Sequence, residues 1–168
     1  MINWMYYPKT KRGDVLSEQV IQVFNHVQDI IDSETHSLHS NEVLAELSCG
    51  LEELGFSVEK GKRNDEKIHV PVLFGLNGQT QLAFDADAYH SQMKYVIEVE
   101  AGRAVVNYQF LKDFFEACSM FDTEYLCIAV RNVYRNKKDF EIVCSFFDML
   151  YSTNRMVLPL KGILIIGY

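Results

Sequence analysis

Hydrophobic positions along the chain fall first at helical and then at strand spacing. From Asp14 to about Asp32, Val15, Leu16, Val20, Val23, Phe24, Val27, Ile30 and Ile31 recur on one helical face, and Asp14 is placed to cap the first turn. A polar segment, Ser33 to His39, leads to a second helix. There Ser40 is the expected N-cap, Val43, Leu44, Leu47, Leu51 and Leu54 form the stripe, and Gly55 stops it. Phe56 to Glu59 reads as a short strand and Lys60 to Lys67 as a charged turn. Pro71 in the segment from Ile68 to Val72 marks a strand edge or an irregular segment. Gly75, Asn77 and Gly78 then turn the chain into the stretch Gln79 to Ala104.

Beyond that stretch, a helix is expected to about Phe121, with Val106, Phe110, Phe114, Ala117, Cys118 and Phe121 inward. Glu124 to Val133 reads as a central strand covered on both sides. Asp139 to about Tyr151 reads as a helix burying Ile142, Val143, Phe146, Phe147 and Leu150, and Gly162 to Gly167 as a last strand. Two helices, three or four strands, then helix, strand, helix and strand predict an α/β sandwich with a mixed sheet. No repeat or linker divides the chain, so residues 1–168 are read as one domain, with 1–13 as an N-terminal arm. In that arm Trp4, Tyr6 and Tyr7 are expected to pack on the body, and Lys9, Lys11 and Arg12 offer phosphate contacts as the alternative.

The stretch Gln79 to Ala104 carries the candidate chemistry. It reads as two adjoining strands with acidic residues at Asp85, Asp87, Glu98 and Glu100. Side chains alternate along a strand, so Asp85 and Asp87 share one face and Glu98 and Glu100 share another. A turn near Gln92 and Met93 sets Asp87 opposite Glu98 and Asp85 opposite Glu100. Like charges directly opposite destabilise a sheet, and a divalent cation with all-oxygen ligation, Mg²⁺ or Mn²⁺, relieves that repulsion. A solvated sheet face also alternates apolar and polar residues. Here, however, the polar positions are uniformly acidic, without the Lys, Thr, Ser and Gln of an ordinary wet face. Glu46, at the margin of the second helix, is the further acid able to turn toward this cluster.

Composition narrows the partners. A net charge of −7 argues against a non-specific nucleic-acid binder while leaving room for a local basic patch. Lys60, Lys62 and Arg63 form the densest basic cluster in the middle of the chain. Cys49, Cys118, Cys127 and Cys144 lack metal-type spacing and read as buried free thiols. His36 and His39, in the loop between the first helices, read as surface residues. No apolar run is long enough to span a bilayer, and the first residues lack the apolar core of a secretory signal, so a cytoplasmic protein is expected.

A strand-borne Asp, about ten residues, Glu-x-Glu at the end of an apolar strand, then a helix and a strand resembles the PD-(D/E)xK nuclease superfamily. The likeness is closest to the BamHI/BglII branch of type II restriction endonucleases, in which Glu or Gln replaces the usual lysine. The matching residues are Asp87, Glu98 and Glu100, followed by Gly102 and Arg103, with Glu46 as the acid of the leading helix. No proline precedes Asp87, and Asp85 is a rival for its place. The resemblance implies a restriction-endonuclease-like mixed sheet flanked by helices and a Mg²⁺-dependent phosphodiester hydrolase acting on nucleic acid, DNA above all. Asp87 and Glu98, with Asp85 and Glu46, would hold metal. Glu100 would handle the attacking water, and Arg103 or Lys112 would supply the missing positive charge, Arg103 being the first choice. Cutting both strands commonly uses two active sites, which makes a homodimer plausible. The acidic charge, small size and absent lysine favour the alternative of an inactive nuclease-like binding or regulatory protein. A narrow pocket in place of an open cleft would point to a third reading, a metal-dependent hydrolase of a small phosphorylated substrate.

Overall fold

A computed structural model describes all residues, Met1 to Tyr168. The elements in chain order are β1 (Asn3–Tyr7), α1 (Val15–His26), α2 (Gln28–Ile31), α3 (Ser40–Glu53), β2 (Ser57–Val58), β3 (Ile68–Phe74), β4 (Thr80–Ala86), β5 (Ala88–His90), β6 (Tyr95–Glu100), α4 (Gln109–Ser119), β7 (Tyr125–Val130), α5 (Asp139–Thr153) and β8 (Gly162–Gly167). Six strands form one mixed sheet in the order β1-β8-β7-β6-β5-β2, and β3 and β4 form a separate hairpin. β6, β7 and β8 run parallel; β1, β5 and β2 are antiparallel to their neighbours. The fold is therefore α/β with a mixed sheet, as expected from the element order.

The parallel strands step across the sheet in one direction. Right-handed crossovers then place both connecting helices on the same face, and α4 and α5 do pack together there. Phe110, Phe114, Val143 and Phe147 meet Val96, Leu126, Ile128, Ile163 and Ile165 from the sheet. On the opposite face, α1, α2 and α3 bring Leu16, Val20, Phe24, Ile31, Val43, Leu47 and Leu51 against Tyr95, Ile97, Val99, Ala129 and Leu164. The alternation of β6 divides its side chains between these two layers. Its odd residues face α1 and α3, so Val96, Glu98 and Glu100 face α4.

Several local expectations change. The N-terminal arm is the edge strand β1, paired along its length with β8. Tyr6 and Tyr7 are both buried, one in each core, so no polar–apolar alternation marked the strand. The first helix breaks at Val27, and Val15 in its first turn and Ile30 after the break are both exposed; Asp14 caps it as expected by accepting from the Ser17 amide at 2.9 Å. The N-cap of α3 is His39, one residue earlier than expected, and the Glu42 carboxylate accepts from its amide at 2.6 Å. After Gly102 the chain makes a turn before α4 starts, with Tyr108 in a left-handed conformation at φ 53°. Val106 therefore lies exposed in that turn, Phe121 is exposed beyond the end of α4, where its ring meets Phe74 edge-on, and Ile142 is exposed on α5. Of the four free cysteines, Cys127 and Cys144 are buried, Cys118 is half-buried and Cys49 is exposed. No helix is long and apolar enough to cross a membrane.

Candidate active site

The first of the two strands expected within Gln79 to Ala104 is itself two strands, with Asp87 at the break. β4 pairs with β3, whereas β5 pairs with β6. In the β5–β6 ladder Ala88 faces Ile97, and the register continued by one residue sets Asp87 opposite Glu98, as the spacing predicted. Asp87 holds its place by accepting the Val99 amide at 2.7 Å, a donor just beyond the end of the β5 ladder. Its own carbonyl accepts the Glu59 amide at 2.8 Å.

Asp85 is not opposite Glu100. It lies on β4, where the chain has left β6 for the hairpin, and its carboxylate is held by Lys67 and by His69 Nδ1, the latter at 2.7 Å. Those partners hold its carboxyl below the usual range, the Lys67 hydrogen bond first. Glu46 does not reach the cluster either. The buried stripe of α3 faces the α1 side of the core, so Glu46 is exposed beside α1, across the sheet from Glu98.

The residues that do approach Asp87, Glu98 and Glu100 come from α4. Its inward stripe reads Phe110, Asp113, Phe114, Ala117, so a carboxylate occupies a buried position in an otherwise apolar row. Asp113 is 5% exposed, and its Oδ2 is buried without a hydrogen-bond partner. Burying such an oxygen unpaired costs free energy, which makes it an acceptor open to a ligand. Glu116 comes one turn later and pairs with Lys112 at 3.2 Å.

The electrostatics bind these groups into one set. Burial pushes Asp113 up to about 8, with Glu100 adding to the rise. Glu100 is pushed up to about 7 by burial and then by Asp87. Asp87 rises to about 6 through burial, with the Val99 amide opposing. Glu98 stands well above the usual carboxylate range because of burial, then Asp87, Asp113 and Glu116. Arg103, exposed in the turn after Gly102, favours the charged form of Glu100. Lys112 does the same for Asp87, Glu98, Glu100 and Asp113 and is the more central cation.

The donor set is carboxylate oxygen throughout, which suits a hard divalent ion, and the unpartnered Asp113 Oδ2 adds a donor. As placed, no three of the His, Cys, Asp and Glu side chains converge on a single point. Strand alternation gave no hint of Asp113 or Glu116. The available signal was a charged residue standing on the apolar stripe of a helix. No family model, no curated protein and no solved structure matches the chain.

Proposed function

We propose that the protein is a metal-dependent phosphodiester hydrolase, a nuclease on a restriction-endonuclease-like fold, acting on nucleic acid and on DNA in particular. The observation that carries this reading is a group of carboxylates, Asp87, Glu98, Glu100 and Asp113, gathered between the end of β6 and α4 with raised proton affinities and one orphaned oxygen. Asp87, Glu98 and Asp113 would hold Mg²⁺ or Mn²⁺. Such an ion supplies Lewis acidity at the phosphoryl oxygen and a lowered pKa for water. Glu100, with its proton affinity near neutrality, accepts a proton from the attacking water as the new P–O bond forms. Lys112 offsets negative charge on the phosphate as the opposite P–O ester bond breaks, and solvent protonates the departing oxygen.

The test is Mn²⁺ calorimetry on wild type and on Glu98→Gln, followed by cleavage assays on plasmid, single-stranded DNA and RNA. Binding lost in the variant, with metal-dependent cleavage by wild type, is the expected result. A second reading, a nuclease-derived binding or regulatory protein, draws on the lack of three convergent ligands. It takes over if neither Mn²⁺ binding nor cleavage is seen, including with DNA present.

A further inference from the structure

The parallel strands β6 and β7 end beside one another, and the loops beyond them build a second feature. After β7 the chain turns tightly at Arg135 and Asn136, both left-handed at φ 47° and 64°, so that Tyr134 and Lys137 pair across a two-residue hairpin. Tyr134 lies against two guanidinium groups, Arg131 at 5.3 Å and Arg135 at 5.2 Å from its ring centre. Arg131 is buried and donates to the Leu38 carbonyl at 2.6 Å, which ties the loop after α2 to the end of β7. Between these loops is a cleft of ≈ 730 Å³, room enough for a nucleotide unit. Arg131, Arg135 and His36 line it, and Glu34 is its one acid.

Two contacts join the cleft to the carboxylate cluster. The Tyr134 ring presses on Gly102, two residues after Glu100, where a Cβ would stand 2.6 Å from the ring. Tyr168 donates from its hydroxyl to the Glu100 carbonyl at 3.2 Å, while its own carbonyl accepts from Ser33 beside the cleft. The charge distribution is also unusual for a chain of net charge −7. Most of its lysines sit against a carboxylate. Arg103, Arg135 and Lys137, exposed at this end of the sheet, do not. The other cations without a carboxylate partner, Lys11, Arg12, Lys62 and Arg155, are scattered along the chain, and Arg131 is buried behind the Tyr134 ring. Three exposed cations beside an aromatic ring suit a phosphate backbone with a base nearby.

We propose that the cleft between residues 33–37 and 131–136 binds the phosphodiester backbone of a nucleic-acid strand, with Arg135 on a phosphate, and guides the strand past the exposed Arg103 to the carboxylate cluster. This rests on the hydrolase reading for its destination, but the cleft can be tested apart from it. Short fluorescein-labelled DNA, single-stranded and duplex, is titrated in EDTA against wild type, Arg135→Glu and Arg155→Glu while polarisation is read. Arg155 is an exposed cation beyond α5, in the segment that leads to the start of β8 and so toward the opposite end of the parallel strands, and its variant carries the same charge change.

The expected result is binding weakened about tenfold or more by Arg135→Glu and by less than about twofold by Arg155→Glu. The salt dependence of log K should flatten by about one unit for the lost phosphate contact. Equal losses in the two variants, or no binding by wild type, overturn the proposal. Mn²⁺ calorimetry on the same samples separates the cleft from the hydrolase. Metal binding without Arg135-dependent DNA binding removes the cleft and keeps the hydrolase. Arg135-dependent DNA binding without any metal binding keeps the cleft and removes the hydrolase.

Discussion

Asp113→Asn should make the protein more stable at high pH. The gain shrinks as the pH falls and vanishes only below the unfolded pKa of 3.8, where the wild-type carboxyl is protonated in both states. The substitution keeps the shape of a buried side chain and removes its ionisation. Folding raises the Asp113 pKa from 3.8 to about 8. Between those values the folded protein holds more protons than the unfolded chain, so stability falls as pH rises, by about 1.4 kcal/mol per unit for one group. From pH 5 to pH 8 the upper bound is about 4 kcal/mol, and rearrangement around the carboxylate brings the expectation to about 2–4 kcal/mol. For a chain of this size that corresponds to a gain in Tm of roughly 5–15 °C for the variant at pH 8 relative to its gain at pH 5. Thermal and urea unfolding of both proteins at pH 5, 6, 7 and 8 in EDTA reads it directly. Parallel stability curves across that range would refute the reasoning, since they would mean that Asp113 ionises in the folded state as easily as in the unfolded one. Repeating the pH 8 series with Mn²⁺ should restore wild type more than the variant, because a cation relieves a repulsion that the variant has already lost.

Three further outcomes rest on particular contacts. Gly102→Ala should cost about 1–3 kcal/mol, because φ is +117° and the added Cβ meets the Tyr134 ring; Tyr134→Ala in the same chain should recover part of that loss in urea melts, and strict additivity would rule out the contact. Tyr7→Phe removes a hydroxyl that donates to the Cys144 carbonyl at 2.8 Å and reaches Asp148 at 3.0 Å, and should lower stability by about 1 kcal/mol in urea unfolding; an unchanged midpoint would show that the hydroxyl gains nothing from those acceptors. Asp85→Asn should leave Mn²⁺ affinity within about twofold of wild type, as expected of a site outside the cluster; a loss comparable to that of Glu98→Gln would return Asp85 to the ligand set.

Much of the architecture was legible from periodicity. The helices around Val20, Leu47, Phe114 and Phe147 and the strands at Ile128 and Ile165 follow apolar spacings that only one local geometry can bury. What escaped were elements whose neighbours define them. β1 shows no alternation because tertiary packing covers Tyr6 and Tyr7 on opposite faces. The turn before α4 depends on the left-handed backbone at Tyr108, a residue type that gives little warning of it.

The candidate site divides in the same way. Spacing about a turn was enough to pair Asp87 with Glu98, because register along one hairpin is a local property. Asp85 has the same alternation and a different fate, since the chain changes partners between Ala86 and Ala88 and hands Asp85 to Lys67 and His69. Glu46 and Asp113 show the remaining limit. Both are acids on amphipathic helices, and the sequence alone placed Glu46 near the cluster and overlooked Asp113. Only the handedness of the crossovers put α4 over the even face of β6 and α3 behind it, leaving Asp113 buried among carboxylates and Glu46 in water. Local spacing determines which side chains share a strand face; which helix covers that face, and with it the full set of charges, is decided by the packing of the whole chain.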